Sequence, residues 1–238
     1  MAVSLDMFMQ GMERLDIRDF RRKKIWHGFE YYKSDRKNGV NISIIVGYSD
    51  YVDEFVVETV GASIYFNSIE KFRSPLLNKY DLLKSKTTFT ISHSFKTWIG
   101  ENCSFKISFP EHIDMFVSDF QRLLENEIFP FVERYSDIEE VANEISSHEY
   151  RDLPFDFARI VPITTATLIL KQTVNPCYED RLQIASEKMK RRVLDIMKEP
   201  DYDSRLADVL IRELKMFEEL FYDDLLKIDY DFFHHDFN

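Results

Sequence analysis

The chain has 238 residues, 45% of them hydrophobic and 15% aromatic, a composition that excludes disorder and is long enough to bury a core without disulfide staples. Its formal net charge of -11 excludes a general affinity for nucleic acid, which needs a basic surface to displace counterions. No window reaches the roughly 18 unbroken apolar residues of a membrane span, and the first residues lack a signal-peptide pattern. The two cysteines, Cys103 and Cys177, lie far apart, so a reducing cytoplasm with free thiols is expected.

Residues 4–22 read as a first helix, with Leu5, Phe8, Met9, Met12 and Leu15 at helical spacing. The basic run Arg21-Arg22-Lys23-Lys24 would then sit at its C-terminal end, where positive charge suits the helix dipole. Alternating segments follow. Gly28–Lys33, Val40–Tyr48, Phe55–Phe66, Thr87–His93 and Ser104–Phe109 each place apolar residues at every second position, as half-buried antiparallel strands do. Lys37-Asn38-Gly39 is a hairpin turn signal, and Gly61 is the expected bend within the long third segment. Between strands, residues 69–84 form a short helix or loop that Pro75 breaks.

Beyond Pro110 the period becomes helical. Asp114 is expected to cap a helix carrying Phe116, Phe120, Leu123 and Ile128, which stops at Phe129-Pro130. Ser136-Asp137-Ile138-Glu139 has the capping-box form and opens the next helix. Residues 148–161 are irregular. Helices over 164–173, 179–198 and 204–227 complete the chain, the last two separated by Glu199-Pro200-Asp201. The expectation is an α+β fold: an N-terminal helix, an antiparallel sheet of about five strands, then a helical C-terminal half. The domains expected are 1–150, holding the sheet, and 151–238, a helical region packed on it, with one continuous domain as the alternative.

Chemistry leaves few traces. His148-Glu149-Tyr150-Arg151-Asp152 approaches the zinc-protease pentad, but its last position is not His and Leu153-Pro154 ends any helix there. Asp231, His234, His235 and Asp236 are ligand-type side chains close together at the C-terminus, where Phe232, Phe233 and Phe237 are better read as docking the tail. Phosphate-loop, GxGxxG and GxSxG patterns are absent. No catalytic residue, metal site or cofactor is therefore assigned, and binding is favoured over chemistry. From Asp201 onward eleven acidic residues stand against four basic ones. Asp223, Asp224, Asp229 and Asp231 are the candidate surface for a basic protein partner. Tyr31, Tyr32, Tyr48 and Tyr51, at strand ends, are candidate interface aromatics.

The order of these features, with Gly28-Phe29, Trp98, Ile128-Phe129-Pro130-Phe131 and Ser136, resembles a group of uncharacterised bacterial domains of unknown function over residues 5–150. The resemblance implies an α+β bacterial cytoplasmic protein, and some relatives fit the style of toxin-immunity proteins. It brings no catalytic residue with it. Two functions are carried forward. The first is a non-enzymatic module that masks a basic protein partner. The alternative is a metal-dependent hydrolase whose His and Asp residues come from distant segments.

Overall fold

Alternation in Val40–Asp50 and Phe55–Phe66 is nearly perfect, and these are the two central strands. In the computed structural model, which describes residues 3–15, 17, 19–51, 54–82, 89–95, 105–157, 161–198 and 203–227, they pair antiparallel as β3 and β4. β2 (Gly28–Asp35) pairs with β3 through the Asn-Gly turn, and Gly39 takes the positive φ of 66° that this turn requires. The Asp35 carboxylate accepts from the backbone N–H of Asn38 and Lys37 and from the Asn38 side chain. Those bonds, that of the Asn38 backbone foremost, hold its pKa below the ordinary value.

Among the described residues the sheet has seven strands, in the order β1 (Arg21–Ile25), β2, β3, β4, β5 (Ile91–Ser94), β7 (Asp156–Phe157), with β6 (Phe105–Ile107) pairing along β4 beside β5. Thr87, where the fourth strand was expected to start, and Ser104, where the fifth was, lie outside the described residues. The bend expected at Gly61 is elsewhere. The register slips between Gly47 and Tyr48, leaving Glu58 as the extra residue of β4, while Gly61 stays paired with Ile45 and Ser94.

The sheet begins earlier than expected. The first helix, α1, spans only Leu5–Met12, capped by the Ser4 hydroxyl, and the basic run is a strand: β1 (Arg21–Ile25), paired to β2. A strand of four cations buries no face, so it shows no alternation.

Chain contacts divide the protein into two compact units. The first holds residues 1–66, 91–137 and 154–156, the second 67–90, 138–153 and 157–238. The units are thus interleaved along the chain, whereas the expected domains met at one boundary near residue 150.

In the first unit, one sheet face is covered by α1 and by α3 (Pro110–Leu123). Phe8 is fully buried at its centre, with its ring 5.6–6.1 Å from those of Phe29, Tyr48, Phe55 and Phe116. Tyr31 and Tyr48 belong to this core and are not interface residues. Burial pushes the Tyr31 hydroxyl up to about 12 against the opposing charge of Arg22. Helix α3 starts at Pro110 after Phe109, so Asp114 lies inside it and does not cap it.

Neither does the helix stop at Phe129-Pro130. Residues Leu124–Ile128 make a π turn, in which the Phe129 N–H reaches back to the Leu124 carbonyl, and α4 (Phe129–Tyr135) continues from it. The wider turn absorbs the proline that would have broken an α-helix, since Pro130 has no N–H to give and its ring needs room. Ser136 closes α4, its hydroxyl donating to the Val132 carbonyl.

In the second unit, α2 (Asn67–Lys79) runs through Pro75, correcting the expected break. It is held by a buried ion pair. Arg73 and Glu70, 0% and 1% exposed, meet at 2.7 Å, and Arg73 also donates to the Thr165 hydroxyl and the Phe89 carbonyl. The remaining helices are α5 (Ile138–Ser147), α6 (Pro162–Gln172), α7 (Tyr178–Lys198) and α8 (Ser204–Leu220), the last followed by a helical stretch over 222–227. Helix α6 is buried almost all round. Its Thr165 and Thr167 hydroxyls donate to carbonyls four residues back, which lets threonines sit in a core. Asp203 caps α8 by accepting from the Arg205 and Leu206 N–H groups. No described helix is long and apolar enough to cross a membrane.

Candidate functional site

The first unit carries a cleft of about 390 Å³ lined by Asp19, Phe20, Lys33, Ile42, Gln121, Glu125, Phe129, Val132 and Glu133. Its position follows from the π turn. The turn places Glu125 and Phe129 along one side of the cleft, and Gln121 donates to the Glu125 carboxylate at 2.8 Å. Pi turns inside α-helices often mark functional positions.

The opposite side comes from the segment before β1. Asp19 has φ 64°, in the left-handed region that few residues other than glycine and Asn/Asp enter. Its carboxylate lies 3.5 Å from the Lys33 ammonium, which itself sits 5.8 Å from the centre of the Phe20 ring. Phe20 and Phe129, which both line the cleft, stack on each other at 6.4 Å with an interplanar angle of 30°. Ile42 and Val132 are buried beneath, whereas Asp19, Glu125 and Glu133 are exposed at the rim.

The site is therefore an apolar, aromatic-walled slot with three carboxylates and one ammonium around it. Chemically it suits a cation on an apolar stem. The stem rests on the rings while the head meets a carboxylate. It holds no Ser, Cys or His nucleophile, and no group of three or more His, Cys, Asp or Glu among the described residues could hold a metal ion.

The residues singled out in the sequence are placed differently. His148 ends α5 and faces back, its Nδ1 3.1 Å from the Glu144 carboxylate, while Tyr150–Asp152 forms one 3-10 turn in which Asp152 pairs with Arg151 at 3.6 Å. Asp229, Asp231 and the terminal His234, His235 and Asp236 lie outside the described residues, as does Trp98. Asp223 is exposed, but Asp224 is committed internally. It accepts from the Lys171 ammonium at 2.6 Å and the Tyr178 hydroxyl at 2.8 Å, tying α6 and α7 to the stretch after α8. Cys177 is a free thiol of intermediate exposure.

Burial works to raise the Asp224 pKa. The bonds from Lys171 and Tyr178, with the charges of Lys171 and Lys227, outweigh it and hold the carboxyl below the ordinary aspartate value. The folded state thus binds this proton less readily than the unfolded chain. The tie stabilises above the ordinary value of about 3.9 and is lost as pH falls through it toward the folded value. Asp224→Asn is expected to cost about 1–2 kcal/mol at pH 7. In urea titrations across pH, the gap from wild type should close in acid. A gap that persists there would show that the carboxylate's charge is not what holds the tie.

No family model, curated protein or solved structure matches the chain.

Proposed function

We propose that this protein is a non-enzymatic, cytoplasmic binding module that masks a basic protein partner, in the manner of an immunity protein, and that the cleft of the first unit receives an arginine or lysine of that partner. The observation that carries this reading is the pairing of Phe20 and Phe129 with the rim carboxylates Asp19, Glu125 and Glu133. A guanidinium can stack on an aromatic face and at the same time bond a carboxylate bidentately with opposite charge. The net charge of -11 supports it by drawing a cationic partner in from a distance. The exposed Asp223 contributes to the same field.

The test is capture of the partner from the source cells at low and moderate salt, followed by association kinetics with the purified pair. Glu125→Lys with Glu133→Lys is expected to weaken binding by about tenfold or more, chiefly by slowing association and flattening its salt dependence. Unchanged kinetics in that variant, alongside a large loss on charge reversal at Asp223, Asp229 and Asp231, would move the interface to the acidic C-terminal region.

A further inference from the structure

An edge strand presents backbone N–H and C=O groups with no strand beyond them, and that row is the template for strand addition. Among the described residues β1 ends the sheet on one side, and its residues are Arg21-Arg22-Lys23-Lys24-Ile25. Lysine on an edge repels a second copy of the same strand, and the same charge selects a strand of opposite sign.

The cations stand on both faces of the sheet. Arg22 and Lys24 oppose Tyr31 and Phe29 on one face, whereas Arg21 and Lys23 oppose Tyr32 and Glu30 on the other. All four are exposed. Arg22 pairs with Glu13 at 2.9 Å, and Arg21, Lys23 and Lys24 have no ion-pair partner among the described residues. Three of the four cations, in a chain of net charge -11, thus make no ion pair within the described fold that carries them.

Beside the strand lies Trp26, 90% exposed, its ring stacked on His27 at 5.8 Å. A bare indole costs solubility, and Trp is among the residue types that most often anchor an interface. It sits one residue beyond the open edge, within reach of whatever pairs there.

We propose that β1 accepts an acidic, extended segment of another protein as a further strand of the sheet. Carboxylates at successive positions of that segment point to opposite faces and so meet cations above and below, and an apolar residue covers Trp26. A phosphate backbone or an anionic bilayer would engage the cations from one side and leave the backbone edge unused. Strand addition uses both faces and the edge together. This inference does not depend on the reading of the cleft, and its variants leave the cleft residues untouched.

The experiment uses the full-length protein and a synthetic octapeptide, Val-Glu-Glu-Thr-Val-Glu-Glu-Thr, whose paired glutamates point to both faces of an extended strand. Saturable binding is expected, with slowed amide exchange over residues 21–25 and a change in fluorescence that disappears in Trp26→Phe. Arg21→Glu, Lys23→Glu and Lys24→Glu together should weaken the peptide by about tenfold or more. Arg21→Gln with Lys23→Gln, a milder exposed change, should weaken it less but measurably. Polyglutamate of equal charge that binds as tightly without slowing exchange would overturn the proposal. Tighter binding of oligouridylate or phosphatidylserine vesicles, lost in the same triple variant, would overturn it in favour of a phosphate-bearing partner.

Discussion

Arg73→Ala is expected to cost about 3–5 kcal/mol, the largest loss from any single side chain of the second unit. The guanidinium is wholly buried and hydrogen-bonded through all three of its nitrogens. Its Nη2 lies 2.7 Å from Glu70 Oε1, its Nε donates to Oε2 at 3.1 Å, and its remaining donors reach Thr165 Oγ1 and the Phe89 carbonyl. Glu70 in turn accepts from the hydroxyls of Thr90 and Ser74. Removing the arginine leaves the Glu70 carboxylate in the core without its counter-charge, and desolvation of an unpaired charge dominates every other term. Urea denaturation checks the figure. Replacing both partners, Arg73→Met with Glu70→Leu, should cost less than Arg73→Ala alone, because no orphaned charge is left behind. A double variant as unstable as the single one would mean that the bonds to Phe89, Thr90 and Thr165 matter more than the charge.

Phe8→Ala is expected to cost about 3–5 kcal/mol in the first unit. Its ring is the point at which α1, the sheet and α3 meet, touching Phe29, Tyr48, Phe55 and Phe116. The neighbours are themselves large rings anchored on strands and a helix, so they cannot collapse into the space, and the lost contacts are added to the transfer term. Helix α1 spans only Leu5–Met12, too short to persist in water alone, so its docking depends on this contact. Denaturant titration should show the loss, and amide exchange over residues 5–12 should rise toward that of an unfolded segment. Exchange that stays slow there would place the docking energy elsewhere, with Met12 the next candidate.

The elements that were legible in the sequence are those that bury one face. Val40–Asp50 and Phe55–Phe66 alternate because one side packs on Phe8 and Phe116 while the other faces outward, and the boundaries of Phe55–Phe66 were read to the residue. Helices α7 and α8 were legible for the same reason at a period of 3.6. β1 was not, because a strand with four exposed cations has no buried face to declare it. Two prolines read as stops in the sequence alone. Pro75 and Pro130 instead lie within continuing helices, the second beside a π turn that sequence periodicity does not encode. Nothing local in the sequence marks Glu70 and Arg73 as buried, or reveals that Phe89 and Thr165 supply partners to Arg73.

The cleft was illegible for a related reason. Its parts come from residues 19–20, 33, 42 and 121–133, and its geometry rests on the π turn and on the left-handed Asp19. The acidic count near the C-terminus pointed to Asp224, but a carboxylate's role depends on what faces it, and here Lys171 and Tyr178 do. Asp223, its neighbour in sequence, stays exposed.

The interleaving of the units constrains the order in which this chain can become folded during synthesis. β4 must leave an edge open while residues 67–90, which belong to the other unit, are still being added, and only then can β5 arrive to pair with it. Helix α2 emerges early, yet Thr165, the partner that satisfies Arg73, follows some ninety residues later. A ribosome-bound intermediate therefore carries both an incomplete sheet and a buried-type arginine exposed to water. Neither unit can be released as a contiguous fragment, so a nick or truncation near residue 150 removes part of each.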